Sequence, residues 1–265
     1  MSGAPDLFDN SAINCFRLRA APGQKRFTFL ADRCAATLQD RLSDINRSFE
    51  NAVVSGYGAL SHTRIRSVIK PQENMLRDGE ALPYEPSCLD LYLSNLVLHT
   101  VNDLPGLLIQ IRNALKPDGL FLAALPGGET LKELRDSLMH AELHVKGGVS
   151  PRVYPFADKQ QTGALLQRAG FALPVVDSEI ITVTYRDVYA LMHDLRGMGE
   201  SNALTQRDRR NPGKALFRAA DNYYKENYPA ENGRIEATFE IIYLIGWRPH
   251  ESQQKPLRPG SAEYS

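Results

Sequence analysis

The chain has 265 residues, of which 43% are hydrophobic, so it is long enough to bury the core of one large domain. Its 31 basic and 31 acidic residues balance, which leaves no net charge to attract DNA, RNA or an anionic membrane, and we expect no nucleic-acid partner. The three cysteines are widely spaced and fit neither a disulfide framework nor a zinc site, so we expect no bound metal.

Targeting signals and membrane spans are not evident in the sequence. The first residues lack a basic start followed by an apolar stretch, and no run of about eighteen apolar residues occurs anywhere. We therefore expect a cytoplasmic protein without a transmembrane segment, which is compatible with a peripheral place at a membrane assembly.

The first predicted elements are a helix and a short strand. Apolar residues recur at helical spacing from Phe27 to Leu42, which predicts an amphipathic helix. The apolar run that begins at Ala52 predicts the first strand, and it ends in the turn Ser55-Gly56-Tyr57-Gly58. Two glycines let the backbone approach a ligand closely, so this turn is a candidate nucleotide loop, with an ordinary turn as the alternative.

The middle of the chain predicts a parallel sheet. Leu89 to Leu96 reads as a strand buried on both faces, and Asp103 is a credible cap of the helix that follows it. The turn at 116–119 ends that helix, and Leu120 to Leu125 is the next strand. A strand, a helix and a strand with short links form a βαβ unit, so we predict the α/β class.

The last third of the sequence predicts further helices and two more strands. We predict helices at Glu129 to Val145 and Gln160 to Arg168, a strand at Val175 to Tyr185 and a last strand at Thr238 to Trp247. Two helix-like runs, Val188 to Leu195 and Lys214 to Tyr224, precede the last strand. We divide the chain into an N-terminal arm (1–21), a core (22–185), a helical insertion (186–236), the last core strand (237–249) and a tail (250–265).

Polar groups follow several of the predicted strands, where open α/β sheets bind ligands. Asp78 and Glu80 lie in an acidic loop whose carboxylates suit an adenine amine or ribose hydroxyls. Asn95 and His99 follow the central strand and point to one crevice. A solvated turn and a structural histidine are the alternatives.

Two later segments offer groups that could bind a substrate. Glu129 follows the next strand, and helix capping alone would also explain it. Arg196, Glu200 and Asn202 belong to a polar loop in the insertion, which is either a lid or peptide-binding edge or an exposed linker.

Taken together, these segments resemble the class I S-adenosylmethionine-dependent methyltransferases, a superfamily that includes the malonyl-carrier-protein methyltransferases. They resemble most closely its branch of methyltransferase-like assembly factors of respiratory complex I, whose mitochondrial member is a protein arginine hydroxylase. The strings that carry the resemblance are Asp78 to Pro83, Ser94 to Pro105, Leu115 to Gly119, Gly127 to Leu131, Asp194 to Asn202, Gly246-Trp247 and His250 to Gln253.

The resemblance implies a fold and a function. The fold is Rossmann-like, a mainly parallel sheet with helices on both faces, a shortened first half and a helical insertion before the last strand. The function is the hydroxylation or methylation of an arginine in a respiratory complex I subunit, with S-adenosylmethionine as cofactor. A non-catalytic assembly factor with a degenerate cofactor site remains an alternative, as does a methyltransferase for small molecules or carrier proteins.

The cofactor loop departs from the methyltransferase pattern. Val54 stands where the pattern has an acidic residue, and Leu60 stands at the third glycine. Residues 59–88 are too few for the helix, strand, helix and strand start that the pattern places there. Glu73 is a poor candidate for the ribose-binding carboxylate. Because these partners are missing, we expect weak cofactor binding or its loss.

We assign candidate roles to the polar residues on this basis. The cofactor would be held by Ser55, Gly56, Tyr57, Gly58, Asp78 and Glu80, the reaction crevice lined by His99 and Asn95, and the substrate bound by Glu129, Arg196, Glu200 and Asn202.

Overall fold

A computed structural model describes residues 6–58, 62–69 and 82–253. Its strands are β1 (Ala52–Gly56), β2 (Val68–Ile69), β3 (Leu89–Asn95), β4 (Leu115–Pro126), β5 (Ala172–Tyr185) and β6 (Ile235–Trp247). They form one six-stranded sheet in the order β2-β1-β3-β4-β6-β5. The first four strands pair in parallel, and β6 lies antiparallel between β4 and β5. The predicted α/β class with a mainly parallel sheet is confirmed.

Helices cover both faces of the sheet. They are α1 (Asn10–Ala20), α2 (Phe29–Ser43), α3 (Leu104–Ala114), α4 (Lys132–Lys146), α5 (Lys159–Arg168), α6 (Val188–Met198) and α7 (Gly213–Asn227). Buried residues of α2, α4, α6 and α7 share one hydrophobic cluster, whereas those of α3 and α5 belong to a second. Short 3-10 turns occur at Ala21–Arg26, Leu98–Thr100 and Glu231–Gly233.

The central strands are buried on both faces because their side chains alternate between the two clusters. Leu120, Leu122 and Ala124 of β4 face the cluster of α2 and α4, while Phe121 and Ala123 face that of α3. Every residue of β3 is buried as well. Strands that are buried on both faces are typical of parallel sheets covered by helices on both sides.

Most predicted elements are present, with shifted ends. The cap of α3 is confirmed, because the Asp103 carboxylate accepts a hydrogen bond from the Gly106 amide at 2.9 Å. The helix predicted from Glu129 begins instead at Lys132. The reason is that the Thr130 hydroxyl donates to the Glu240 carbonyl of β6 at 2.9 Å and Leu131 has a φ of 56°, so this stretch is a turn fastened to the sheet.

The N-terminal segment was expected to be an arm but contains helix α1. The Asp9 carboxylate caps it by accepting from the Ala12 amide at 3.0 Å. Only Ile13 and Ala20 of α1 are buried, so the sequence offers little helical periodicity there. A satellite cluster of Phe8, Ile13 and residues near Leu204 attaches this segment to the rest of the protein.

The first half of the sheet is shortened, as expected. β2 pairs with β1 in only two registered positions, and no helix occurs in the described part of their connection, 57–58 and 62–67. Leu60, Glu73, Asp78, Glu80 and the tail beyond residue 253 lie outside the described residues.

Candidate functional site

The glycine turn after β1 is closed by the protein's own backbone. Gly56 and Gly58 have φ values of 109° and 88°, in the left-handed region that favours glycine. A Cβ atom on Gly56 would lie 2.0 Å from the Asn95 carbonyl oxygen, and one on Gly58 would lie 2.7 Å from that of Ala31. The packing of this turn against β3 and α2 alone therefore explains both glycines.

Asn95 fastens the glycine turn and does not line the reaction crevice. Its buried side-chain amide donates to the carbonyls of Ala31, at 2.9 Å, and Tyr57, at 2.6 Å. Both amide hydrogens are used in this way. The prediction of a catalytic Asn95 is therefore wrong, because its NH2 group is bound to two backbone carbonyls and Asn95 is not among the residues that line the cavity described next.

A cavity opens beside this turn at the carboxyl ends of the central strands. It has a volume of about 110 Å³. One water needs roughly 10–15 Å³ on the same measure, so the cavity has room for a side chain. We call it the site cavity. Its lining comes from the start of α2, the 3-10 turn after β3, the start of α4, the aromatic segment 152–156 and the end of α6 with its following loop: Gln24, Phe27, Thr28, Leu30, Ala31, Tyr57, Leu96, His99, Pro126, Thr130, Leu131, Leu134, Arg152, Val153, Tyr154, Phe156, Leu195, Met198, Glu200, Asn202 and Phe239.

His99 and Glu200 form the polar centre of the site cavity. His99 Nε2 lies 3.1 Å from Glu200 Oε2. The imidazole is only 4% exposed, and its Nδ1 atom has no hydrogen-bond partner among the described residues. Buried polar atoms are nearly always hydrogen-bonded, so an unpaired nitrogen in a cavity wall indicates a place for a ligand atom. His99 thus lies in the wall of the site cavity, and its catalytic role stays a prediction.

Arg17 of α1 completes the polar centre. Its guanidinium donates to the Thr100 hydroxyl at 3.1 Å and lies 3.7 Å from Glu200 Oε1. Burial raises the pKa of Glu200, but the charges and hydrogen bonds of His99 and Arg17 outweigh burial, and the net pKa is lowered. Glu200 is thus an ionised carboxylate at neutral pH. Among the described residues, Glu200 Oε1 has only the long contact with Arg17, which leaves lone pairs for another donor.

The aromatic segment 152–156 supports the loop that carries Glu200. The Tyr154 hydroxyl donates to the Ser201 carbonyl at 2.6 Å and accepts from the Ala203 amide at 3.2 Å. The rings of Tyr154 and Phe156 lie 6.3 and 6.0 Å from the His99 ring, between centroids. Arg152 bonds to the buried carboxylate of Glu142 at 2.6 Å, while its Nε atom has no partner among the described residues.

Only some of the residues predicted to bind the substrate line the site cavity. Glu200 and Asn202 line the site cavity, although the Asn202 amide is engaged with the Pro151 carbonyl at 2.9 Å. Glu129 does not line it, because its exposed carboxylate pairs with Lys132 at 2.9 Å on the surface. Arg196 is exposed on the other side of the α6 end, in a separate groove. The predictions that place Glu129 and Arg196 around one crevice with Glu200 are wrong.

Some residues of the site were missed by the sequence analysis. Arg17 lies in a segment for which no element was predicted. Arg152, Tyr154 and Phe156 belong to the string Pro151-Arg152-Val153-Tyr154-Pro155-Phe156, whose alternation of aromatic and proline residues in a loop was the available signal.

The described part of the glycine turn offers exposed backbone, but no acidic side chain, to a cofactor such as S-adenosylmethionine. The backbone at Gly56 and Gly58 is exposed, and Tyr57 lies between them at the cavity wall. Ser55 is buried at the end of β1. Val54 packs against the main core, so no carboxylate of β1 faces the amino or sulfonium group of such a cofactor. Asp78 and Glu80, the other predicted contacts, lie outside the described residues.

Residues 6–58, 62–69 and 82–253 contain no group of three His, Cys, Asp or Glu side chains placed to hold a metal ion. No helix in the same ranges is long and apolar enough to cross a bilayer.

Comparison with known proteins identifies the class of the fold. Residues 58–123 match the family model of a methyltransferase domain. The YcgJ protein of Bacillus subtilis superposes with a TM-score of 0.52 at 13% identity, over 81% of this chain and 99% of that one. A Bacillus halodurans protein assigned to the methyltransferases superposes with a TM-score of 0.51 at 12% identity, over 82% and 99%. The chain has the class I methyltransferase fold.

Curated relatives then identify the family. A Danio rerio protein named arginine-hydroxylase NDUFAF5, mitochondrial, is 38% identical over 91% of this chain and 81% of its own length. The Homo sapiens protein of the same name is 39% identical over 92% and 77%. The chain belongs to the arginine-hydroxylase NDUFAF5 family. Because these relatives are named as mitochondrial, the expectation of a cytoplasmic protein is wrong.

Proposed function

We propose that this protein hydroxylates an arginine side chain of a respiratory complex I subunit while that subunit is being assembled. The proposal draws on the arginine-hydroxylase name of relatives that span most of the chain. It draws equally on the site cavity, whose polar centre suits an arginine. The protein substrate would dock with its backbone outside the cavity and its side chain within.

The observation that carries the proposal is an ionised carboxylate inside an aromatic, largely apolar cavity. An arginine side chain has an apolar stem that packs against such walls and a planar guanidinium that stacks on aromatic rings. Tyr57, Tyr154 and Phe156 supply the rings. Glu200 supplies the carboxylate, and a charge-assisted hydrogen bond in a desolvated site is stronger than one in water. A lysine would fit this arrangement less well, because its ammonium is a compact, strongly hydrated charge.

His99 and Glu200 have separate roles in this proposal. Glu200 Oε1 would accept from the guanidinium and fix its orientation. His99, held by Glu200 at Nε2, would present its unpaired Nδ1 atom to the same group and accept or donate a proton there. The low exposure of the imidazole excludes bulk water from this point.

The cofactor would sit against Ser55, Gly56, Tyr57 and Gly58, and we propose that it binds weakly. The exposed glycine backbone can contact the amino-acid portion of S-adenosylmethionine, and Tyr57 separates that portion from the site cavity. When bound, the cofactor would supply a sulfonium whose methyl group can be transferred, which accounts for methylation but not for hydroxylation. Hydroxylation replaces a C–H bond by C–OH, a two-electron oxidation, so it would take its oxygen atom from dioxygen with a two-electron donor as co-reactant. Weak binding follows from the missing charge partner at Val54, since a hydrogen bond to a charged group contributes about 1.5–3 kcal/mol.

A second candidate function is an assembly factor that binds the subunit without modifying it. The observation that favours it is the glycine turn, whose two glycines are explained by contacts with Asn95 and Ala31 and need no ligand. In that case the site cavity would bind the arginine as an anchor.

Co-expression with the candidate complex I subunit, followed by peptide mass spectrometry, tests the proposal. We expect one added oxygen on a single arginine with the native protein. Glu200→Gln should reduce the modified fraction about tenfold or more, because the neutral amide cannot pair with a guanidinium. Glu129→Gln is the matched control, since its carboxylate lies on the surface outside the cavity.

The possible results separate the two candidates. An added methyl group in place of the added oxygen would show that the protein methylates the arginine and does not hydroxylate it. Unmodified arginine in every peptide, together with stable co-purification of the two proteins, would favour the assembly factor. If the Glu200→Gln variant and the native protein modify the same fraction of the arginine, Glu200 does not take part in the site.

A further inference from the structure

A second depression lies directly beside the site cavity, between α1 and α6. It is lined by Phe16, Arg19, Ala20, Gly23, Phe27, His193, Arg196, Gly197 and Ser201, and we call it the basic groove. Its walls are thus the end of α1, the 3-10 turn Ala21–Arg26 and the last turns of α6. Two aromatic rings form part of its surface, and arginines from two different helices border it.

The arginines of the basic groove have no acidic partner in the described part of the chain. Arg19 and Arg196 are exposed, and neither guanidinium forms an ion pair or hydrogen bond with a described residue. No carboxylate lines the groove. By contrast, Arg17 faces Glu200 at 3.7 Å and Arg207 pairs with Asp9 at 2.9 Å. The groove therefore carries a local positive charge on a chain whose net charge is zero.

The basic groove and the site cavity share a wall. Phe27 lines both depressions, and its ring lies against Gly197, where a Cβ atom would be 2.3 Å away. The loop after α6 alternates between them, because Glu200 and Asn202 line the cavity while Ser201 lines the groove. A peptide whose side chain enters the cavity would thus place its neighbouring residues over the groove.

From this arrangement we infer that the basic groove binds an acidic segment of the protein substrate next to the target arginine. The inference rests on the proposed function, which supplies the target arginine. The preference of the groove for acidic residues follows from the charges of the groove itself. Carboxylates would pair with Arg19 and Arg196, and apolar parts of the segment would pack on Phe16 and Phe27. Cationic residues near the arginine would be disfavoured, which gives the protein selectivity among arginines.

Binding of defined peptides tests the inference. The probe is a synthetic peptide with one central arginine flanked by glutamates, titrated into the full chain and followed by calorimetry. The combined change of Arg19→Glu and Arg196→Glu should weaken binding about tenfold or more, and each single change about threefold. Arg218→Glu is the matched control, because Arg218 is an exposed arginine of α7 outside both depressions. Thermal unfolding of each variant checks that the fold is retained.

Two further peptides separate this inference from the proposed function. In one, alanine replaces the arginine and the glutamates stay; in the other, glutamines replace the glutamates. If the alanine peptide binds as well as the arginine peptide and is still weakened by the groove variants, the groove is supported and the arginine proposal fails. If the glutamine peptide binds as tightly as the glutamate peptide, the inference is overturned.

Two other results would also overturn the inference. One is an equal loss of peptide binding in the Arg218→Glu variant, which would indicate nonspecific charge effects. The other is binding to vesicles of anionic phospholipid that depends on Arg19 and Arg196, without any such dependence for the peptides, since the groove would then contact a membrane.

Discussion

The glycine turn and the site cavity lie side by side, yet they differ in how their polar groups are used. In the turn, the Asn95 NH2 group and the space beside both glycines are taken up by contacts within the chain, and only Asn95 Oδ1 has no partner among the described residues. In the cavity, His99 Nδ1 and Arg152 Nε have no described partner. Satisfied groups stabilise a fold, and unsatisfied groups beside a cavity indicate a ligand. The glycine turn, which carries the more familiar sequence motif, therefore serves mainly to hold the fold together.

The largest expected effect comes from adding one methyl group to the turn. Gly56→Ala would place a Cβ atom 2.0 Å from the Asn95 carbonyl oxygen at a φ of 109°, so the free energy of unfolding should fall by about 3 kcal/mol or more. Denaturant unfolding measures the change. Gly148→Ala is the control, because no atom lies within 4 Å of the added Cβ, and its stability should be nearly unchanged. A stable Gly56→Ala protein would show that the turn is looser than described.

A smaller loss of stability is expected for Asn95→Ala. The change removes one buried and one partly buried hydrogen bond, to the carbonyls of Ala31 and Tyr57, which should cost about 2–3 kcal/mol. His99→Ala, in the cavity, should cost less stability but abolish most of the modification. If Asn95→Ala instead kept full stability and lost activity, Asn95 would be catalytic after all and the comparison would be reversed.

The third effect is a dependence of stability on pH that comes from Glu200. Its pKa is lower in the folded protein than the ordinary value of 4.5, burial being outweighed by His99 and Arg17. The stability gained from this shift is complete above the unfolded pKa and is lost as the pH falls through the folded pKa. The difference in unfolding free energy between the native protein and Glu200→Gln should therefore shrink between neutral pH and pH values below 4.5. A difference that stays constant would show that Glu200 is not held by these cations.

The smallest effect is expected for Arg17→Gln. The Arg17 guanidinium lies 3.7 Å from the oxygen of Glu200 that would receive a substrate guanidinium, so its removal should tighten binding of an arginine peptide about twofold to fivefold. Calorimetric titration measures this. Arg209→Gln, which removes an exposed arginine paired with Asp9, is the control. Weaker binding after Arg17→Gln would show that Arg17 positions Glu200 and does not compete for it.

The sheet could be predicted from the sequence because strands that are buried on both faces contain runs of consecutive apolar residues. Leu91 to Leu93 of β3 and Leu120 to Leu125 of β4 are apolar at every position, and Asp103 occupies a capping position with a clear signature. α1 was not predictable in this way, because only Ile13 and Ala20 of its residues are buried. β2 has two residues, which is too short for any periodic pattern.

The site was predictable only where its residues follow a predicted strand. His99 could be assigned to a crevice because parallel strands end at one edge of the sheet. The direction of Asn95 could not be read, since a side chain after a strand points either into the fold or out of it. Arg17 and Tyr154 reach the cavity from remote parts of the chain, and only the packing of α1 and of segment 152–156 brings them to Glu200.

The central claim is that the site cavity, and not the glycine turn, receives an arginine between His99 and Glu200. The most direct test follows the His99 ring by NMR while an arginine peptide is added, with the His99→Ala variant identifying its signal among the 6 histidines. We predict that the His99 signal shifts with the arginine peptide, that it does not shift with the matched alanine peptide, and that Glu200→Gln abolishes the shift. Binding of the arginine peptide that leaves the His99 signal unchanged would contradict the account.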